Sequence, residues 1–174
     1  MKRLTIADQI AEWLYEKGIT HAFGIIGGGN VALWDAITRL GRTKLICTHH
    51  EQAAAMASSY YFRASGRLAL CLVTTGAGST NAITGVMAAW MDSVPLLVIS
   101  GNDATNHLSQ EVRVKGTQAY RSHEVVQSFT KWSNRAHKEV PIRAQLEMAL
   151  RVALDGRQGP VWLDVSKDVQ TCVA

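Results

Sequence analysis

In this 174-residue chain the stretch Leu68-Ala69-Leu70-Cys71-Leu72-Val73 is apolar at every position. An extended strand points successive side chains to opposite faces, so a run without polar alternation has to be covered on both sides. That is the pattern of a central parallel strand, and parallel strands need crossover connections, usually helices. The rest of the chain provides them. Pro95-Leu96-Leu97-Val98-Ile99-Ser100 and Gly159-Pro160-Val161-Trp162-Leu163-Asp164-Val165 read as further buried strands, with shorter ones at 21–26, 44–48 and 131–135. Between them lie helical patterns. Thr5 and Asp8 open the first, which places Ile6, Ile10, Trp13 and Leu14 on one face before Gly18. Others are expected at about 31–40, at 52–64 before Ser65-Gly66, from the Gly76 turn to Met91, and at 120–128. The last runs from Pro141, as its first residue, to Leu154, with Gly156 as its stop. The alternation predicts an α/β fold: a doubly wound, mainly parallel sheet of about six strands with helices on both faces. One domain over 1–174 is expected, with 170–174 resembling the start of a linker or tail, and the polar, aperiodic stretch 101–116 is a loop suited to function.

Composition narrows the function classes. Hydrophobic residues make up 47% and charged residues 18%, and the net charge of +4 is spread singly, with no basic run interleaved with aromatics. Nucleic-acid binding is therefore not expected. No apolar run reaches membrane-spanning length and the N-terminus does not read as a signal peptide. Cys47, Cys71 and Cys172 lack metal-ligand spacing and fit a reducing cytoplasm, two of them as small buried hydrophobes.

Candidate chemistry concentrates just beyond strand ends, where open α/β sheets bind ligands. In His49-His50-Glu51-Gln52-Ala53-Ala54-Ala55 one carboxylate sits where a strand hands over to an alanine-rich helix. On position alone Glu51 reads first as a solvated first-turn acid favoured by the helix dipole. Gly76-Ala77-Gly78-Ser79-Thr80-Asn81 turns a strand into a helix and offers backbone amides, but it matches only the first half of the dinucleotide fingerprint, because Asn81 stands where a third Gly or Ala belongs. Gly27-Gly28-Gly29 has no following Lys-Ser or Lys-Thr and reads as a tight turn needing positive φ. The histidines show no metal-binding spacing, and His49 and His50 read as hydrogen-bonding loop residues.

Several motifs then fall in register: Phe23-Gly24-Ile25-Ile26-Gly27-Gly28, His50-Glu51-Gln52-Ala53-Ala54, and Thr74-Thr75-Gly76-Ala77-Gly78-Ser79-Thr80-Asn81. Ala88-Ala89-Trp90-Met91-Asp92-Ser93-Val94-Pro95-Leu96 and Gly159-Pro160-Val161-Trp162-Leu163-Asp164-Val165 follow. In that order the chain, from about 4 to 169, resembles the pyrimidine-binding domain of thiamine-diphosphate enzymes. It is most similar in look to the acetolactate synthase large subunit and related 2-keto-acid decarboxylases and carboligases. The resemblance implies that Glu51 hydrogen-bonds the aminopyrimidine ring of thiamine diphosphate and helps activate it for attack on a 2-keto acid. It further implies that Gly27, Gly28, Gly76 and Gly78 let backbone approach the ring, that Thr74 and Asn81 line the pocket, and that Gln118 stands near the substrate. Proton exchange at the ring asks for a dry setting, and alanine-rich surroundings are consistent with one.

The chain also departs from the family pattern. Ile26 and Ala77 replace prolines usual in the two glycine turns, and Thr117 stands where many synthases carry phenylalanine. The Gly-Asp-Gly motif and downstream asparagine that hold Mg2+ in the family are not in this sequence. The resemblance therefore implies a diphosphate-binding partner domain or subunit that carries the Mg2+, within a homo- or hetero-oligomer. The alternatives are a non-catalytic scaffold derived from the same family, and a small nucleotide-binding α/β module resting on the Gly76 turn.

Overall fold

The computed structural model describes residues 4–108, 115 and 118–173. Its strands are β1 (His21–Gly24), β2 (Lys44–Cys47), β3 (Leu70–Val73), β4 (Leu96–Asn102), β5 (Trp132–Arg135) and β6 (Pro160–Ser166). Among the described residues they form one six-stranded sheet in the order β2-β1-β3-β4-β6-β5, with every pairing parallel. The helices are α1 (Ile6–Glu16), α2 (Val31–Leu40), α3 (Glu51–Ser65), α4 (Ala77–Thr80), α5 (Ile83–Met91), α6 (Ser122–Val125), α7 (Ile142–Leu154) and α8 (Lys167–Gln170). The α/β sheet expected from the apolar runs is the one found.

Strand periodicity explains the two-sided core. Leu70 and Leu72 of β3, Leu97 and Ile99 of β4, and Val161, Leu163 and Val165 of β6 face a cluster with Ile10, Trp13 and Leu14 of α1, Leu33 and Ile37 of α2, and Leu146 of α7. The intervening Cys71, Val73, Leu96, Val98 and Trp162 face Ala54 and Ala55 of α3 and Val86 and Ala89 of α5. Small residues let α3 and α5 approach closely: a Cβ on Gly85 would stand 2.6 Å from the Ala55 Cβ.

Local chemistry sets the element ends. Thr5 and Asp8 form a capping box at α1, His50 Nδ1 accepts the Gln52 amide at 3.1 Å to cap α3, and Gly41 and Gly66 close α2 and α3 in the left-handed conformation. Four details differ from the sequence reading. β3 is confined to Leu70–Val73, with residues 67–69 bringing the chain back from α3. The helix after Gly76 is interrupted at residues 81–82, and that expected over 120–128 is only α6 followed by a 3-10 turn, Gln127–Phe129. Pro141 precedes α7 rather than starting it. Residues 170–173 pack back on the sheet: Gln170 is buried, and Thr5 bridges Val173. Of the loop expected at 101–116, β4 takes the first two residues and Thr105–His107 forms a 3-10 turn, while Gly116 and Thr117 lie outside the described residues.

The connectivity locates the site. From β1 the chain goes outward to β2 and then returns to β3 on the other side of β1. The strand order therefore reverses between β1 and β3, and the crevice beyond their carboxyl ends is the switch point. Residues 27–29 and 76–78 stand there.

Candidate functional site

Glu51 is the first residue of α3 and is 8% exposed. Asn81 Nδ2 donates to its Oε2 at 2.9 Å. Its Oε1 receives no hydrogen bond from the described residues and lies 3.4 Å from where a Cβ on Gly78 would stand. A carboxylate this far buried is costly unless hydrogen bonds meet its oxygens, and the Asn81 bond meets one of them. The solvated first-turn reading of Glu51 therefore does not hold.

The other residues singled out in the sequence adjoin this acid. A Cβ on Gly78 or on Gly27 would fall 2.5 or 2.6 Å from Thr74 Cγ2, so Thr74 fills the space between the two turns. Thr74 Oγ1 accepts the Gly29 amide at 3.1 Å. Gly76 has φ +63°, and a Cβ there would meet the Gln118 Cβ at 2.4 Å. Gln118 itself sits at φ +58°, an uncommon conformation for a residue with a side chain. Glu51, Thr74, Gly78, Asn81 and Gly27 thus form one connected group, and Gly76 with Gln118 continues it through Thr75, whose hydroxyl lies 2.9 Å from the Gln118 carbonyl. Gly28 meets no heavy atom within 4 Å, leaving bare backbone.

Residues 27–29 do not adopt the positive φ expected of them. Their turn is built by Asn30, whose Oδ1 accepts the Gly27 amide at 2.8 Å while its Nδ2 donates to the Ile25 carbonyl at 3.0 Å. What demands glycine at 27 and 29 is close approach. Gln170 Nε2 braces the turn from beneath, donating to the Gly29 carbonyl at 2.6 Å. The Gly76 turn also differs from expectation. The amides of Gly78, Ser79 and Thr80 bond the carbonyls of Thr75 and Gly76, so they are not free to cradle a phosphate. α4 spans four residues, which removes the dipole that a dinucleotide site needs.

A cleft of about 310 Å³ opens beside this group, lined by residues 27–29, Thr74, Thr75 and Gln118. Glu51 and Asn81 do not line it; they adjoin it through Thr74 and Gly78. Asp103 and Lys167 also line it, neither among the site residues expected from the sequence. Asp103 is paired with Lys167, takes 2.8 Å and 3.0 Å contacts from the Ala104 amide and His107 Nδ1, and is nearly enclosed. Burial works to raise its carboxyl, but the bonds from Lys167, His107 and the Ala104 amide outweigh it and hold the group at about 2. Tyr120 donates or accepts at Ser79 Oγ over 2.6 Å, and burial pushes its hydroxyl up to about 12. Lys167 stands just past the carboxyl end of β6, the edge where ligands bind, and Asn30 follows a glycine turn, so both had a positional signal in the sequence. Among the described residues no group of three or more His, Cys, Asp or Glu side chains could hold a metal ion. No helix among them is long and apolar enough to cross a membrane.

An enclosed acid with one oxygen fixed and the other available, flanked by glycine backbone, suits a flat heterocycle presenting a ring nitrogen. Residues 4–127 match the family model described as thiamine pyrophosphate enzyme, N-terminal TPP binding domain. The chain is 37% identical over 168 residues to the acetolactate synthase large subunit of Haemophilus influenzae, covering 97% of this chain and 29% of that protein. It is 35% identical over 169 residues to acetolactate synthase isozyme 3 large subunit of Escherichia coli, again 97% of this chain and 29% of the relative. To the chloroplastic acetolactate synthase of Arabidopsis thaliana it is 34% identical over 171 residues, 97% of this chain and 24% of the relative. The chain thus spans less than a third of the length of these relatives.

Proposed function

Because the chain belongs to the thiamine pyrophosphate enzyme family, matching its N-terminal TPP-binding domain over residues 4–127, we propose that it supplies the pyrimidine-binding half of a thiamine-diphosphate site. That site acts on a 2-keto acid, decarboxylating it, ligating the resulting acyl unit to an acceptor, or both. When bound, the coenzyme supplies a thiazolium carbon that becomes a nucleophile toward the keto carbonyl and a ring that takes up the electrons released with carbon dioxide. The diphosphate and its Mg2+ are held by a partner domain or subunit, so the complete site lies in an oligomer, in the cytoplasm.

The observation that carries the proposal is the state of Glu51: enclosed, with Oε2 fixed by Asn81 and Oε1 unengaged beside Gly78. Oε1 is the atom that meets the pyrimidine ring nitrogen and exchanges a proton there, and the Asn81 bond keeps the carboxyl plane turned toward it. Gly27, Gly28, Gly76 and Gly78 leave backbone rather than side chain against the ring, and Thr74 packs between the two turns. Gln118, which lines the same cleft as Gly28, faces the keto acid. Ala54 and Ala55 of the same helix are fully buried and pack α3 into the core behind the acid.

Glu51→Gln in the enzyme carrying this chain together with its diphosphate-binding domain tests the assignment. The variant keeps the fold and the Asn81 contact geometry, and turnover of the keto acid falls by about 10²–10⁴-fold, the usual worth of a positioned proton-transfer group. Turnover at the wild-type rate would remove Glu51 from the mechanism. Calorimetry with thiamine diphosphate and Mg2+, with and without the partner domain, tests the cofactor assignment separately.

A further inference from the structure

A carboxylate with no exposed surface lies one strand away from the cleft. Asp164 of β6 is 0% exposed, and among the described residues it forms no ion pair with lysine or arginine. His123 Nδ1 stands 3.8 Å from its Oδ2 and has no hydrogen-bond partner. Burying a carboxylate is expensive and is sustained only by strong hydrogen bonds. Asp164 receives two: from Ser100 Oγ at 2.8 Å and from Asn102 Nδ2 at 2.7 Å.

Both neighbours are forced to act as donors toward residue 164. Ser100 Oγ accepts from Trp162 Nε1 at 2.9 Å and lies 3.2 Å from Ser122 Oγ; with Ser122 donating to it, its own proton goes to the shorter contact with Asp164. Asn102 Nδ2 also donates to the Tyr120 carbonyl at 2.7 Å, while its Oδ1 accepts the Asp103 amide at 2.9 Å. That arrangement fixes the amide the same way round. A side chain with two acceptor oxygens and no donor satisfies both, and an ionised carboxylate is the side chain that has this. From Asn102 the connection reaches the cleft. Thr75 Oγ1 lies 2.9 Å from both Asn102 Oδ1 and the Gln118 carbonyl, so its one proton is shared between two acceptors. Gln118 is the cleft residue held at φ +58°, and such strain persists only where surrounding bonds over-determine it.

We propose that Asp164 is a positioning residue: through Asn102 it anchors the backbone of 118–120, and so holds the Gln118 side chain against the cleft without touching coenzyme or substrate. The effect on the keto acid rests on the function proposed above; the effect on backbone order does not. Glu51 is bonded to Asn81 and makes no hydrogen bond to Asp164, Asn102, Thr75 or Gln118.

The test uses Asp164→Asn in the full-length enzyme. An asparagine satisfies one of the two donors and turns its own amide protons on the other. Amide hydrogen exchange over 118–122 is expected to rise by about tenfold while α3 stays at the wild-type rate, since local opening need not follow global stability. The keto-acid KM rises by about tenfold, with kcat and the half-saturating thiamine diphosphate concentration each within about twofold of wild type. Unchanged exchange at 118–122 in a folded variant overturns the proposal, as does exchange that rises equally in α3, or a KM that moves only in step with coenzyme affinity. If Asp164→Asn does not fold, Thr75→Val decides, because it removes the hydroxyl between Asn102 and Gln118 and leaves Asp164 satisfied. Thr75 itself lines the cleft, so only the exchange is read in this variant: a local rise at 118–122 with α3 unchanged supports the assignment, and its absence overturns it. A wild-type enzyme that turns over no 2-keto acid would instead defeat the functional reading, while the exchange measurement would still decide the role of Asp164.

Discussion

Two glycine turns meet at the switch point of the sheet, and they use glycine for opposite reasons. At residues 27–29, beyond β1, the backbone adopts no positive φ, and glycine is needed because Thr74 and Gly101 come too close for a Cβ. At Gly76, beyond β3, φ is +63° with ψ −129°, a region closed to L side chains, and Gln118 packs against it as well. The first turn is held by side chains reaching in from elsewhere: Asn30, Thr74 and Gln170. The second is held by its own backbone and by its own hydroxyls, Ser79 Oγ donating to the Gly76 carbonyl and Thr75 Oγ1 reaching Asn102 and Gln118. Within the first, Gly28 obeys neither rule, for nothing lies within 4 Å of it. A glycine that neither the backbone nor the packing requires is the position where a ligand's requirement would show.

Alanine substitutions separate these reasons. Gly76→Ala carries both penalties, and its urea unfolding midpoint should report a loss of about 3 kcal/mol or more. Gly27→Ala keeps an allowed backbone but must displace the β-branched Thr74, for a loss of about 2 kcal/mol. Gly28→Ala should unfold within about 0.5 kcal/mol of wild type, as ordinary surface changes do. In the complete enzyme it should nevertheless raise the half-saturating thiamine diphosphate concentration about tenfold, worth about 1.4 kcal/mol. If Gly28→Ala destabilises as much as Gly27→Ala, the contrast drawn between them fails.

The smallest effect concerns the wall facing the first turn. Asp103 titrates at about 2 in the folded chain, below its ordinary value, because Lys167, His107 and the Ala104 amide outweigh the cost of burial. A depressed carboxyl contributes stability that is fully present above about pH 4 and is lost as the pH falls toward 2. Asp103→Asn should therefore flatten the acid limb of the stability curve in that window and leave its slope above about pH 5 unchanged. An acid limb identical to wild type would mean that the Lys167 contact is not formed in solution.

Much of this was legible in the residues, and the limits have physical causes. Leu68-Ala69-Leu70-Cys71-Leu72-Val73 and its counterparts announce a sheet buried on both faces because strand periodicity allows no other way to hide them. Glu51, Thr74, Gly78 and Asn81 could be named from the family resemblance of their motifs, but their meeting around one carboxylate depends on the order of strands, which no local pattern carries. The reason for glycine at 27 was misread for the same cause: Thr74 is 47 positions away in sequence and comes near only through β1–β3 pairing. α8 escaped notice because Lys167-Asp168-Val169-Gln170 is a single polar turn with no periodicity of its own. Yet Lys167 pairs with Asp103, Asp168 accepts from Thr105, and Gln170, first residue of the stretch that resembled a linker, braces Gly29 at the cleft. Asp164 did leave a trace, as a lone acid inside an otherwise apolar strand, and buried acids seldom stand without a purpose.

Everything proposed for catalysis converges on Glu51 Oε1, and hydrogen–deuterium exchange at C2 of the thiazolium of bound thiamine diphosphate reads that atom's work before any keto acid is added. With the complete enzyme saturated in coenzyme and Mg2+, the account predicts rapid exchange for wild type and exchange slower by about 10²-fold or more for Glu51→Gln at equal occupancy. Equal exchange rates in the two, with coenzyme equally bound, would contradict it.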